Sequence, residues 1–231
     1  MQLPDWPNSG LLVAIVVLAV LGPFVWRVLK RVGALLFVRA AVRGALTDIG
    51  KRALEQQAEV IHLEPLAEPQ WKDPGAMGVM AAGLRRKGFT DCGVFSVDKI
   101  PGARVWVFCQ EQTSVSAHLY EHPKAGFWPE LVTRYTNGSS HSITTMPATG
   151  IKLPAWISVI RSPQAPTDQL YERLLRERRP SGIEHLDRQN VVRAYEDAYS
   201  RQMIAQKNQG LSPEEVAAVM KRWAEKKAAS I

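Results

Sequence analysis

Cysteine is nearly absent: Cys92 and Cys109 are the only two in 231 residues. That excludes a disulfide framework and suits a reducing compartment. Each thiol stands in a strand-like stretch and reads as a small core hydrophobe. Missing too are a Gly-rich phosphate loop, a C-x-x-C pair, a serine nucleophile elbow and a carboxylate dyad. Each of these is the local geometry its chemistry requires. The expectation is therefore no enzyme, with no catalytic residues, no cofactor and no metal ligands. No internal repeat or low-complexity tract interrupts the chain.

Charge of either sign is absent from residues 6–26. As a helix rising about 1.5 Å per residue, that window just spans a hydrocarbon core of roughly 30 Å. Trp6 and Trp26 bracket it, as amphipathic indoles do at the two headgroup regions. A cleaved signal peptide is the rival reading, but Asp5 is the only charge upstream, whereas Arg27, Lys30 and Arg31 follow directly. The positive-inside rule then puts the N-terminus outside a bacterial inner membrane and everything after Arg27 in the cytoplasm.

The formal net charge of +7 is concentrated in residues 27–52, where seven Lys/Arg stand against Asp48. Arg27, Arg31, Arg39 and Arg43 recur at steps of four and eight, one drifting stripe on a helix. With Lys30 they are expected to face anionic lipid headgroups, unless they only fix orientation. The rest of the chain is close to neutral, which argues against a nucleic-acid partner.

Three domains are expected: 1–26 as external terminus and transmembrane anchor, 27–75 as basic juxtamembrane helix and Pro-rich linker, and 76–231 as a cytoplasmic α+β domain. The linker reading rests on Pro65, Pro69 and Pro74. Within the domain, a short helix at 76–87 ends at Gly88. Alternating runs at 94–98, 104–110, 114–121, 130–136, 139–145 and 156–161 predict a mostly antiparallel sheet of five or six strands. Asn137-Gly138 is a strong hairpin signal, because its turn needs positive φ at both central residues. Flanking helices are predicted at 167–178 and 189–207. A last one opens on the capping box Ser212-Pro213-Glu214-Glu215. Its stripe of Val216, Val219, Met220 and Trp223 packs on its own domain or docks a partner.

Two stretches invite chemistry. His118-Leu-Tyr-Glu-His122 matches an inverted zinc-peptidase pattern, but its setting alternates like a strand. Residues four apart on a strand are about 13 Å from each other, too far to share one ion. Glu121, His122 and Trp128 flank a Pro/Gly turn and are a candidate small-molecule or lipid site, with an ordinary structured turn as the alternative. Arg134 and His141, across the hairpin, read as solvated.

Tyr120-Glu-His-Pro-Lys-Ala-Gly-Phe-Trp128, with Leu131-Val-Thr-Arg-Tyr135 and Leu170-Tyr-Glu-Arg-Leu-Leu175, resembles a group of uncharacterised bacterial proteins that share this α+β domain. The resemblance implies a recurring domain and brings no catalytic residues with it. The functional expectation is a single-pass, membrane-anchored accessory subunit of a larger protein complex, with respiratory and photosynthetic assemblies as natural hosts. The alternative is a membrane-tethered binding module or enzyme with its site near Glu121, His122 and Trp128.

Overall fold

A computed structural model describes residues 37–123 and 125–228. The chain divides into two compact units, Met1–Ile49 and Gly50–Ile231. Helical residues 37–55 form α1, of which 50–55 belong to the second unit. In the first unit Arg39 and Arg43 are exposed, as are Phe37, Val38 and Val42.

Two expectations require correction. Among the described residues no helix is long and apolar enough to cross a membrane, so the single-pass membrane reading has no support there. The expected span at 6–26 lies outside the described residues, together with Trp6, Trp26, Arg27, Lys30 and Arg31. The sheet has seven strands, not five or six.

Those strands are β1 (Leu63–Pro65), β2 (Thr90–Val97), β3 (Arg104–Gln110), β4 (Val115–His122), β5 (Gly126–Arg134), β6 (Ser140–Thr144) and β7 (Ile157–Arg161). They lie side by side in chain order, antiparallel up to β6, with β6 and β7 parallel. The additional strand is β1, which takes in Pro65 at an edge, where a missing N–H costs no ladder bond. Pro129 within β5 obeys a related logic. The β6 ladder begins at Glu130, and Pro129 meets that side only through its carbonyl, which accepts from Thr144 Oγ1 at 2.8 Å and Thr145 N–H at 3.3 Å, so its missing N–H costs no ladder bond.

Four helices complete the second unit: α2 (Pro74–Arg86), α3 (Thr167–Glu177), α4 (Val191–Gln209) and α5 (Pro213–Ala228). Asp73 caps α2 by accepting from the Ala76 N–H at 2.8 Å, with Pro74 at the first helical position. The capping box on α5 forms as its sequence requires. Glu215 N–H donates to Ser212 Oγ at 3.2 Å, and Ser212 N–H donates to Glu215 Oε2 at 2.8 Å. Glu215 Oε1 also accepts from Lys152 N–H at 2.7 Å, tying α5 to the β6–β7 connection. At Gly50 an added Cβ would stand 2.8 Å from Val216 Cγ2, so only glycine admits this approach.

Alternation sorts the sheet into two faces. Phe108, Ala117, Leu119, Leu131 and Ile143 pack with Met77 and Leu84 of α2 and Leu170 and Leu174 of α3. The opposite face is apolar on β2 and β3, where Phe95, Val105, Val107 and Cys109 pack with Ile61, Leu186 and Val191. On β4, β5 and β6 that second face turns polar, and it is still covered.

Candidate functional site

The register places the polar side chains in rows. His118 on β4 is directly opposite Glu130 on β5, and Glu130 is opposite Thr144 on β6. One row along, Ser116 faces Val132, which faces Ser142; beyond them lies Arg134, opposite Ser140. Such side chains share one face about 5 Å apart across strands. Tyr195, Tyr199 and Gln202 of α4 close over them, and the space between is a cleft of about 140 Å³. Trp156, 43 % exposed, and Arg201 stand at its rim.

Burial here is severe. His118 is 1 % exposed, Ser116 1 %, Ser142 3 % and Arg134 6 %. Both ring nitrogens of His118, Arg134 Nε and Ser142 Oγ at the cleft have no hydrogen-bond partner within the protein, nor do Ser116 Oγ beside it and His141 Nε2 on the opposite face. Ser142 nonetheless stands near enough to Glu130 to favour its carboxylate. Each such group ordinarily costs about 1–3 kcal/mol. Tyr120 and Glu130, partly buried, line the same floor, with the Tyr120 hydroxyl donating to Glu130 Oε2 at 3.4 Å. Tyr120 packs against Trp128 on one side (5.0 Å between ring centroids), and His118 packs against Tyr195 (5.0 Å).

Desolvation governs the titration of the whole cluster. Burial pushes His118 down to about 3, with the Arg134 charge acting in the same direction, so its imidazole is neutral at physiological pH. Burial raises the Glu130 carboxyl and lowers the Arg134 guanidinium from their ordinary values. It carries Tyr195 up to about 12. Away from the cleft, burial pushes the thiols of Cys92 and Cys109 up to about 11 and about 12, which leaves neither a ready nucleophile.

The residues singled out from the sequence have other duties. Glu121 points to the opposite face, 3 % exposed, where Oε2 accepts from Arg104 Nη1 at 2.8 Å and Oε1 from Lys72 N–H at 2.7 Å. His122 Nδ1 accepts from Ala125 N–H at 3.2 Å and so holds the β4–β5 turn. Only Trp128 of that trio touches the cleft, through Tyr120. The His118–His122 pentad lies on a strand, and among the described residues no three His, Cys, Asp or Glu gather as for a metal ion. Arg134 is buried rather than solvated, because α4 covers its face. His141 lies on the other face, its Nδ1 3.0 Å from Ser158 Oγ. On α5, Val216 is buried within its own unit and Val219 partly so, while Met220 is 50 % exposed; the Trp223 side chain lies outside the described residues.

Glu130, Ser142 and Tyr195 are missing from any sequence motif, and Arg134 falls in one that does not mark it as a site residue. The usable signal is the alternation Val115, Ala117, Leu119 against Ser116, His118, Tyr120, read together with Tyr195 and Tyr199 four apart on a helix. Comparison of the chain with protein-family models, curated proteins and solved structures finds no match.

These environments set two expected outcomes. Glu121→Gln breaks a buried, charge-assisted pair, and urea unfolding should show a loss of about 2–3 kcal/mol with the cleft unaltered. His118 takes up a proton more readily unfolded, near its ordinary 6.5, than folded, near 3. Stability should therefore fall as pH drops through that window, by up to about 1.4 kcal/mol per pH unit, and this component should vanish in His118→Leu. Comparing the two proteins isolates His118 from Glu130, whose raised carboxyl acts with the opposite sign.

Proposed function

We propose that the second unit is a binding module for a small polar ligand, held in the cleft between α4 and strands β4 to β6. The observation that carries this reading is the set of unpartnered polar atoms on His118, Arg134 and Ser142, gathered at one cavity. A domain whose whole stability is about 5–15 kcal/mol does not retain several such costs for packing alone. The cavity suits a molecule of about six to ten non-hydrogen atoms, since spaces near 150 Å³ admit benzene. Binding without turnover is favoured because a buried imidazole titrating near 3 is a poor general base, and both thiols are protonated.

A second reading, an accessory subunit of a larger protein complex, draws on the exposed Phe37, Val38 and Val42 beside Arg39 and Arg43. It expects the chain to co-migrate stoichiometrically with other proteins on sizing of a mild native extract. Migration alone would remove it.

For the binding module, NMR of the full-length chain with fragments of that size should shift resonances of His118, Ser142 and Tyr199. His118→Leu should bind the same fragments at least ten-fold more weakly while gaining about 1 kcal/mol of stability to urea at pH 8. Fragments that perturb only other surfaces, or a His118→Leu protein destabilised like any core variant, would sink the reading.

A further inference from the structure

The charges in the cleft narrow the ligand further, on the footing that the second unit is a binding module. Arg134 is 6 % exposed, its Nε is buried without a partner, and its side chain forms no ion pair within 4.0 Å among the described residues, although it also borders a second pocket beside Glu184 and Asp197. Glu130 and Glu184 act on it only through their fields, and the Arg201 charge opposes them. A guanidinium cannot shed its proton to escape burial, so an unpaired one calls for an anion. Arg201 adds a second cation at the rim, lying over the hairpin so closely that a Cβ on Gly138 would stand 2.9 Å from its Nη1.

The other walls set the anion's character. α4 presents its middle, Tyr195 to Gln202, so no helix N-terminus offers free N–H groups to a phosphate. Among the described residues no lysine lines the cleft, and Glu130 stands in it, which disfavours a dianion. A planar monoanion matches the fork of one arginine. Glu130 lies four residues before Arg134 on the same face of β5, about 13 Å away along the strand before the side chains reach inward. A ligand anchored at Arg134 therefore meets, at its other end, a carboxyl, the neutral His118 and the Tyr120 hydroxyl. That end of the cleft offers acceptors on Glu130 and one imidazole nitrogen and a donor on the other, so it suits a group that can donate, such as a hydroxyl or amine.

We infer that the cleft binds a small carboxylic acid, its carboxylate on Arg134 and Arg201 and a hydroxyl or amine at its far end toward Glu130 and His118. Two probes of suitable length are para-hydroxybenzoate and gamma-aminobutyrate. The neutral control is para-hydroxybenzyl alcohol, and inorganic phosphate tests the competing anion. Calorimetric titration of the full-length chain should give saturable binding of at least one acid with a Kd of about 1 mM or tighter. The alcohol should bind at least ten-fold more weakly, and Arg134→Gln should cost the acid at least ten-fold. Arg134→Lys should recover part of that loss, because it restores charge without the fork. Should Arg134→Gln fail to fold, Arg201→Gln on the rim reads the same interaction with a smaller loss.

Equal affinity for acid and alcohol would overturn the assignment while leaving a ligand cleft in place. So would phosphate displacing the acid at equal concentration, or an acid affinity unmoved in the arginine variants. Failure of both acids to bind, when neutral fragments still shift His118 and Ser142, removes the carboxylate alone. Absence of any ligand at the cleft removes the binding module with it.

Discussion

The placement of α4 across one face of the sheet is the constraint on which the rest depends. An antiparallel sheet ordinarily leaves one face to water, and alternation then costs nothing. Here α2 and α3 cover one face and Leu186, Val191 and α4 cover the other. Over β3 the second cover meets Val105, Val107 and Cys109 and forms ordinary core. Over β4 to β6 it meets Ser116, His118, Glu130, Arg134 and Ser142, and the same act of covering becomes expensive. Weakened basicity at His118 and Arg134 and weakened acidity at Glu130 are one effect, the withdrawal of water, seen from three groups.

Glu121 shows that the fold is able to satisfy a buried polar group fully when structure is its only use. One oxygen takes a guanidinium N–H and the other a backbone N–H, so both sides of the carboxylate are occupied. Its neighbour on the strand, Tyr120, looks the other way into the cleft, and two residues back His118 has neither nitrogen partnered within the protein. Saturation on one face of β4 and its lack on the other, within a few residues, argue against general looseness of packing. On β4 the difference tracks the cavity, while on β6 the other face also carries an unpartnered atom, His141 Nε2.

Much of the local structure is legible in the sequence because its causes are local. Gly138, with φ at 79°, turns the chain between β5 and β6, although Asn137 lacks the positive φ that the expected turn type requires. Gly88 ends the turn after α2 with φ at 79°, and Ser212 with Glu215 closes the capping box. The features that escape a sequence reading depend on partners distant in the chain. β1 is three residues long and exists as a strand only because β2 offers it an edge. The Pro129 end of β5 reads as a turn until one sees that the β4 ladder continues along it. Arg134 reads as solvated for a similar reason. Alternation tells which residues share a face, and it is silent on whether water or a helix sixty residues later covers that face.

Hydration and a ligand are not equivalent answers to the open groups of the cleft. A space of about 140 Å³ has room for several waters, and water both donates and accepts, so it can satisfy Ser142 and the neutral His118 at modest cost. Arg134 is different in kind. A few confined waters do not replace the solvent that its buried Nε side loses, and its nearest carboxylates stand beyond ion-pair distance. Charge is therefore the part of the cleft that water leaves unsettled. It is also why the arginine, more than the histidine that first draws the eye, decides what kind of molecule belongs there.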